Sequence, residues 1–137
     1  MKNAIKKLLV CVTVCGMVLA GSDTQLLADS DFFNGSPVGY SVTIDSVSAT
    51  AVTSFSKPAE EISVQATVYY KREGTTYQRI SGWKTATIGG ISATAAAKGR
   101  KAITIGGKGE HRIISRQGTT WSGTSYVGTV EETAIFE

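Results

Sequence analysis

Residues 62–83 read ISVQATVYYKREGTTYQRISGW, and this stretch decides the fold class. In its first half, apolar side chains at every second position alternate with Ser, Gln and Thr. Such alternation turns one side of a strand toward a core and the other toward water. Gly74 ends a charged turn and can supply the positive φ that a tight turn requires. The stretch therefore predicts a β-hairpin with strands over 62–70 and 75–83.

The same period of two recurs along most of the chain. Residues 38–44 alternate apolar and polar side chains, and no helical period of comparable length is found. The Ala-rich stretch 93–97 is interpreted as strand or loop, because its neighbours are Ser, Thr and Gly. Residues 106–109 are predicted to form a turn and residues 117–123 a loop.

This spacing of turns predicts about seven to nine short strands in an all-β domain. An antiparallel two-sheet sandwich of the immunoglobulin-like type is the natural way to bury that many one-sided strands. A small closed β-barrel is the alternative.

The N-terminus has the layout of a secretory signal peptide. Three lysines fall in residues 1–7, and an almost unbroken apolar run follows over 8–20, which is too short for a membrane span of about 20 apolar residues. Small residues place the cleavage after Ala20 or after Ala28. The chain is thus predicted to consist of a signal peptide (1–28), a flexible lead-in (29–37) and a single β-sandwich domain (38–137). We expect the protein to be secreted to the extracellular space.

Composition excludes several classes of protein. Without residues 1–28, the chain keeps 109 residues with 11 Lys and Arg against 10 Asp and Glu, so its net charge is only +1. This balance argues against a nucleic-acid partner. Both cysteines precede residue 29 and His111 is the single histidine, which excludes a disulfide framework and a multi-histidine metal centre. We expect no metal, no cofactor and no membrane span after processing.

The sequence also argues against an enzyme. His111 is the one candidate base for a Ser or Thr nucleophile, and the nearby cations Lys108 and Arg112 disfavour its protonated form. The acid pairs at 60–61 and 131–132 are strand neighbours, so each pair points to opposite faces and is not preset for glycoside cleavage.

The middle and end of the chain carry a recognisable pattern. Its parts are an apolar strand with a basic end before a glycine turn (63–72), then Tyr77, Ile80 and Trp83, then HRIIS (111–115), a Gly/Thr loop, and ETAIF (132–136). The chain resembles a loosely defined family of small exported β-sandwich proteins of Gram-positive bacteria with no assigned function. It departs from that pattern at Tyr77 and Gln117, where the family has Trp and His. The resemblance implies export and a β-sandwich, and it carries over no catalytic residue.

Two groups of residues are candidates for ligand binding. Six cations lie between positions 98 and 116 against one acid, Glu110, and on one sheet they would meet an anionic surface such as a wall polymer. A solvated edge that Lys and Arg protect against strand addition is the alternative. Exposed aromatic rings would instead stack on sugars, whereas Trp83 is expected in the core. The predicted ligand-binding residues are Tyr69, Trp121, Tyr126, Lys98, Arg100, Lys101 and Arg112.

The leading hypothesis is a secreted, non-enzymatic binding module that acts at or beyond the cell surface, with a carbohydrate or cell-wall polymer as ligand. The alternative is a secreted protein-interaction factor, such as an adhesin-like subunit, an inhibitor or a bacteriocin-like effector.

Overall fold

The computed structural model describes residues 25–86, 88–100, 103–130 and 134–135. These residues form strands joined by turns and loops, which confirms the all-β prediction. The strands are β1 (Gln25–Phe33), β2 (Ser36–Ile44), β3 (Ser48–Phe55), β4 (Glu61–Arg72), β5 (Thr75–Ile80), β6 (Lys84–Thr85), β7 (Ser92–Lys98), β8 (Ile103–Ile114), β9 (Thr120–Gly128) and β10 (Ala134–Ile135). Two of them, β6 and β10, have only two residues each.

The strands form two sheets that share one core. The first sheet has the order β1-β2-β3-β7, and the second has the order β10-β5-β4-β8-β9 with β6 paired to β4. Neighbouring strands are antiparallel except β10 and β5. Both sheets have open edges in the part of the chain that the structure describes, so the sandwich prediction is confirmed and the closed barrel is wrong.

The chain crosses from the first sheet to the second between β3 and β4, returns between β6 and β7, and crosses again between β7 and β8. The paired strands β3 and β7 therefore face the paired strands β4 and β8.

The predicted hairpin is present as β4 and β5. Tyr70 pairs with Tyr77 across it, and the turn residues Glu73 and Gly74 both have positive φ, as a two-residue hairpin turn requires. The alternating apolar side chains of β4 are buried, so the strand turns the predicted side toward the core. They are Ile62, Val64, Ala66, Val68 and Tyr70.

Small side chains on the first sheet meet larger ones on the second. The Ala-rich stretch is strand β7, in which every second residue is an alanine that faces the core. The buried alanines of β3 and β7 are Ala49, Ala51, Ala93, Ala95 and Ala97. They let the first sheet approach the valines and isoleucines of β4 closely, as dense core packing requires.

The prediction of a flexible lead-in over residues 29–37 is wrong. Residues 25–33 form β1, which pairs with β2 over its full length, and Asn34 and Gly35 form the tight turn between them with φ of 50° and 74°. The alternation of β1 is not recognisable in the sequence, because Asp29 and Asp31 stand where apolar residues are expected. Their cross-strand partners, Tyr40 and Val38, face the core. Residues 25–28 of the expected signal peptide also belong to β1. Residues 1–24 lie outside the described residues.

The predicted turn at residues 106–109 is also wrong, because these residues lie inside β8. A Cβ at Gly107 would overlap Ile44 of β2, and a Cβ at Gly109 would lie 2.8 Å from the Cβ of Ala51. The glycines are therefore needed for close contact between the sheets and not for a turn.

Replacing Gly107 by Ala is expected to lower the free energy of unfolding by about 1–3 kcal/mol, because the added methyl group has no space between the sheets. The midpoint of urea unfolding measures the change. Gly39→Ala is the matched control, since its new Cβ meets only the Ser54 hydroxyl, which can rotate away. Equal losses in the two variants would contradict this account of Gly107.

Candidate functional site

Alternate residues of β4, β8 and β9 point away from the core and form what we call the outer face of the second sheet. In the register of these strands, Thr67 lies opposite Lys108, and Lys108 lies opposite Tyr126. Tyr69 lies opposite Gly106, which has no side chain. The Tyr126 hydroxyl lies 3.3 Å from the position that a Cβ at residue 106 would occupy. The rings of Tyr69 and Tyr126 are therefore in contact, with centroids 6.2 Å apart and an interplanar angle of 60°.

Trp83 lies further along the same face, after β5. Its side chain is 44% exposed, so the expectation that it packs in the core is wrong. The Arg112 guanidinium lies over the indole, 5.1 Å from the ring centroid, which is a cation–π geometry. Sequence reasoning missed Trp83 because its partner Arg112 is distant in the chain and reaches it only through the pairing of β4 with β8.

A hydrogen-bonded carboxylate holds Arg112 in place. The Arg112 Nη2 donates to Glu61 Oε1 over 3.0 Å, and the Ser63 hydroxyl donates to the same oxygen over 2.6 Å. The Ser63 hydrogen bond is the larger cause, and Arg112 the smaller, of a Glu61 pKa below its usual range. Both donors therefore favour an ionised Glu61 at neutral pH.

A second ion pair neutralises the charges between the aromatic groups. Lys108 Nζ lies 2.8 Å from Glu110 Oε1, and this hydrogen bond raises the pKa of Lys108. The two cations and two acids in the centre of the outer face thus pair with each other: Lys108 with Glu110 and Arg112 with Glu61.

A groove of about 320 Å³ runs between Trp83 and β9. Its lining includes the indole of a tryptophan, one acidic and one basic side chain and two hydroxyl groups. The residues that contribute these groups are Trp83, Glu110, Arg112, Ser122 and Thr124. The lining also includes Gly123 and His111, of which His111 is only 1% exposed. The groove therefore offers a stacking surface with hydrogen-bond donors and acceptors beside it.

The structure brings together three of the predicted ligand-binding residues on the outer face. Tyr69 and Tyr126 are in contact. Arg112 lies on the same face, because it follows Lys108 and Glu110 as the next alternate residue of β8. Lys98 lies instead at the end of β7 in the first sheet, and Arg100 follows it. Lys101 is outside the described residues. Arg116 borders a separate groove with Lys57 and Asn34.

Trp121 lies on the opposite side of the second sheet, in the core. The predicted loop over 117–123 ends early, because β9 begins at Thr120, and the Trp121 side chain is 9% exposed. Its indole N–H donates to Asp31 Oδ2 over 3.0 Å, which satisfies the one polar atom of the ring. Gly123 leaves space for the indole, since a Cβ there would collide with it. A stacking platform on the outer face therefore excludes Trp121.

Tyr40 and Asp29 extend this buried contact to β1. The Tyr40 ring lies 5.3 Å from Trp121, and its hydroxyl donates to Asp29 Oδ2 over 3.1 Å. Burial, with the hydrogen bond to Asp29 added, raises the pKa of Tyr40 to about 12. Asp29 and Asp31 thus anchor β1 to aromatic groups of the core.

His111 is the centre of the buried polar cluster. It is 1% exposed, with Nδ1 2.5 Å from the Thr53 hydroxyl and Nε2 2.8 Å from the Ser125 hydroxyl. A neutral imidazole offers one donor and one acceptor, so the hydroxyls satisfy both nitrogens. Burial lowers the pKa of His111 to about 4, against a smaller opposing effect of Glu110. Ser125 is equally buried, so this Ser–His pair does not face a substrate.

Protonation of His111 is expected to destabilise the fold. The pKa is about 4 in the folded chain and near 6.5 in the unfolded chain. The unfolded state therefore binds the extra proton first, and stability falls as the pH drops from 6.5 through 4. The loss reaches about 3 kcal/mol. Urea midpoints measured at intervals of pH test this slope.

The variant His111→Gln separates this effect from the titration of carboxyl groups. We expect it to be less stable at pH 7 and to lose much less stability than the native chain between pH 6.5 and pH 4. Parallel pH profiles for the two proteins would contradict the assignment.

Comparison of the chain with protein-family models and with curated protein sequences finds no match. Among the described residues, no group of three or more His, Cys, Asp and Glu side chains is placed to hold a metal ion. The same residues include no helix with the length and apolarity to cross a membrane. Fold and geometry together therefore define an antiparallel β-sandwich with a polar and aromatic outer sheet face.

Proposed function

We propose that the protein is a secreted, non-enzymatic binding module that binds a glycan of the cell wall through the outer face of its second sheet. The observation that carries the proposal is a group of three aromatic side chains on one sheet face, two of them exposed and one partly buried, beside the hydroxyl groups of the groove. These aromatic residues are Tyr69, Trp83 and Tyr126. Export is supported by the lysines and the apolar run of residues 1–20.

The pairing of charges favours an uncharged sugar over an anionic polymer. Lys108 and Arg112 are each engaged by a carboxylate, so a polyanion would have to displace Glu110 and Glu61 to reach them. Sugar rings need no such exchange. Their C–H faces stack on aromatic rings, and their hydroxyls exchange hydrogen bonds with Ser122 and Thr124 at the groove.

Binding without catalysis is favoured by the position of His111. Its two hydrogen bonds are internal, and its low pKa keeps it neutral at the pH of most surroundings. A base that is enclosed in this way contributes to the stability of the core.

Removing an aromatic ring from the outer face is expected to weaken wall binding. We expect Tyr126→Ala and Trp83→Ala each to lower retention on purified cell walls about tenfold, which corresponds to about 1.4 kcal/mol. Pull-down at low and at high salt measures the effect. Phe32→Ala is the matched control, because Phe32 is 68% exposed but lies in β1 of the first sheet.

The salt dependence and the variants distinguish sugar stacking from two other causes of wall binding. Binding that survives high salt and fails in the two variants supports stacking on sugars. Binding of the native chain that disappears at high salt would show attraction to an anionic polymer, and equal loss in Phe32→Ala would show a non-specific apolar effect. Either result contradicts the proposed ligand.

A protein partner is the second candidate, and one observation favours it. Four exposed apolar side chains fall within residues 80–91, on the stretch of chain that leads from β5 of the second sheet to β7 of the first: Ile80, Trp83, Ile88 and Ile91. Clusters of exposed apolar groups are typical of protein interfaces.

The two candidates differ in which residues matter. For a protein partner, Ile88→Ser and Ile91→Ser are expected to lower the amount of partner recovered with the exported chain by cross-linking, while Tyr126→Ala has little effect. If the cross-linked partner is lost only in Tyr126→Ala, residues 80–91 are not its binding site.

A further inference from the structure

Given the export that we propose above, we infer that the signal peptide is removed at the bond after Ala20, so that the exported chain keeps the whole of β1. The sequence offers a second bond, after Ala28, and the two products differ by residues 21–28. The second bond lies inside β1, which begins at Gln25.

Residues 25–28 are part of the sheet. Gln25, Leu26, Leu27 and Ala28 pair with residues 44–41 of β2 in continuous register. A cut after Ala28 would remove four of the nine paired residues of β1. It would leave the corresponding half of β2 as an uncovered sheet edge, which is a template for pairing with other chains.

Leu27 is also part of the core. It pairs with Val42, which is fully buried, and its own side chain packs against the core cluster. A product that begins at Asp29 would lose this side chain and expose Val42.

The remainder of β1 depends on the same four residues. Asp29 would become the terminal residue, although its carboxylate accepts the hydrogen bond of Tyr40. Terminal residues fray unless they are tied down. Fraying there would also reach Asp31, which accepts the hydrogen bond of the Trp121 indole.

The sequence around the two bonds favours the same choice independently of the fold. Signal peptide cleavage sites have small residues at the last position and at the third position from the end. The first bond has Ala20 and Val18 at these positions, whereas the second has Ala28 and the bulkier Leu26. Strand pairing and side-chain size therefore select one bond.

The experiment expresses the full chain from Met1 in a secreting Gram-positive host and determines the intact mass and the N-terminal sequence of the exported product. We expect a product that begins at Gly21. A product that begins at Asp29 would overturn the inference and leave the proposed binding function untouched, because pull-down on cell walls tests that function separately. A chain that stays uncut in the cells would overturn the inference and contradict the proposed export as well.

Two matched variants test the bond itself. Ala20→Lys is expected to raise the ratio of cell-associated precursor to exported chain at least tenfold, because a long charged side chain does not fit where a small one is required. Ala28→Lys is expected to leave that ratio unchanged and to yield a product that still begins at Gly21. The reverse pattern, with precursor accumulating only in Ala28→Lys, would overturn the inference.

Discussion

The hydrogen bond between the buried His111 and Thr53 connects the two sheets of the sandwich, and a second one to Ser125 joins His111 to the neighbouring strand of its own sheet. Thr53 approaches one ring nitrogen from β3 of the first sheet, and Ser125 approaches the other from β9 of the second. An unpaired polar group at this depth would cost about 1–3 kcal/mol, so both hydroxyls must keep their places. With His111 turned inward, Lys108, Glu110 and Arg112 of β8 must point outward. The core contact therefore decides which residues of β8 form the outer face.

Local patterns predicted the elements whose contacts are local in sequence. The hairpin of β4 and β5 follows from strict alternation and a Glu-Gly turn. β1 was missed because Asp29 and Asp31 occupy its inward positions, where their partners are the Tyr40 hydroxyl and an indole 90 residues away. A carboxylate at an inward position looks like a loop residue until its distant donor is known. Gly107 was likewise taken for a turn residue, since the Ile44 that requires it lies in the other sheet.

The sequence predicted part of the candidate site, namely its tyrosines, and misplaced its tryptophans and cations. Alternation with Val68 and Tyr70 places Tyr69 outward, and the structure brings it into contact with Tyr126, the other tyrosine among the predicted ligand-binding residues. The two tryptophans exchange their expected places, because the Trp121 indole is buried and donates to Asp31, whereas the Trp83 indole lies on the outer face with Arg112 over one side of its ring. The cations between residues 98 and 116 looked like one group in the sequence. Their described members belong to different sheets, because β7 and β8 are consecutive in the chain but lie in opposite sheets.

For the glycan binding that we propose, the outer face suits an extended polymer better than a small molecule. Small ligands bind in deep sites that cover most of their surface, whereas the groove beside Trp83 is lined by residues of two neighbouring strands, β8 and β9. The aromatic groups are already ordered before any ligand arrives, since Arg112 is fixed by Glu61 and Tyr126 rests against Tyr69. Ordering that precedes binding lowers the conformational entropy lost in the complex. Weak contacts repeated along such a rigid surface favour a chain of similar units.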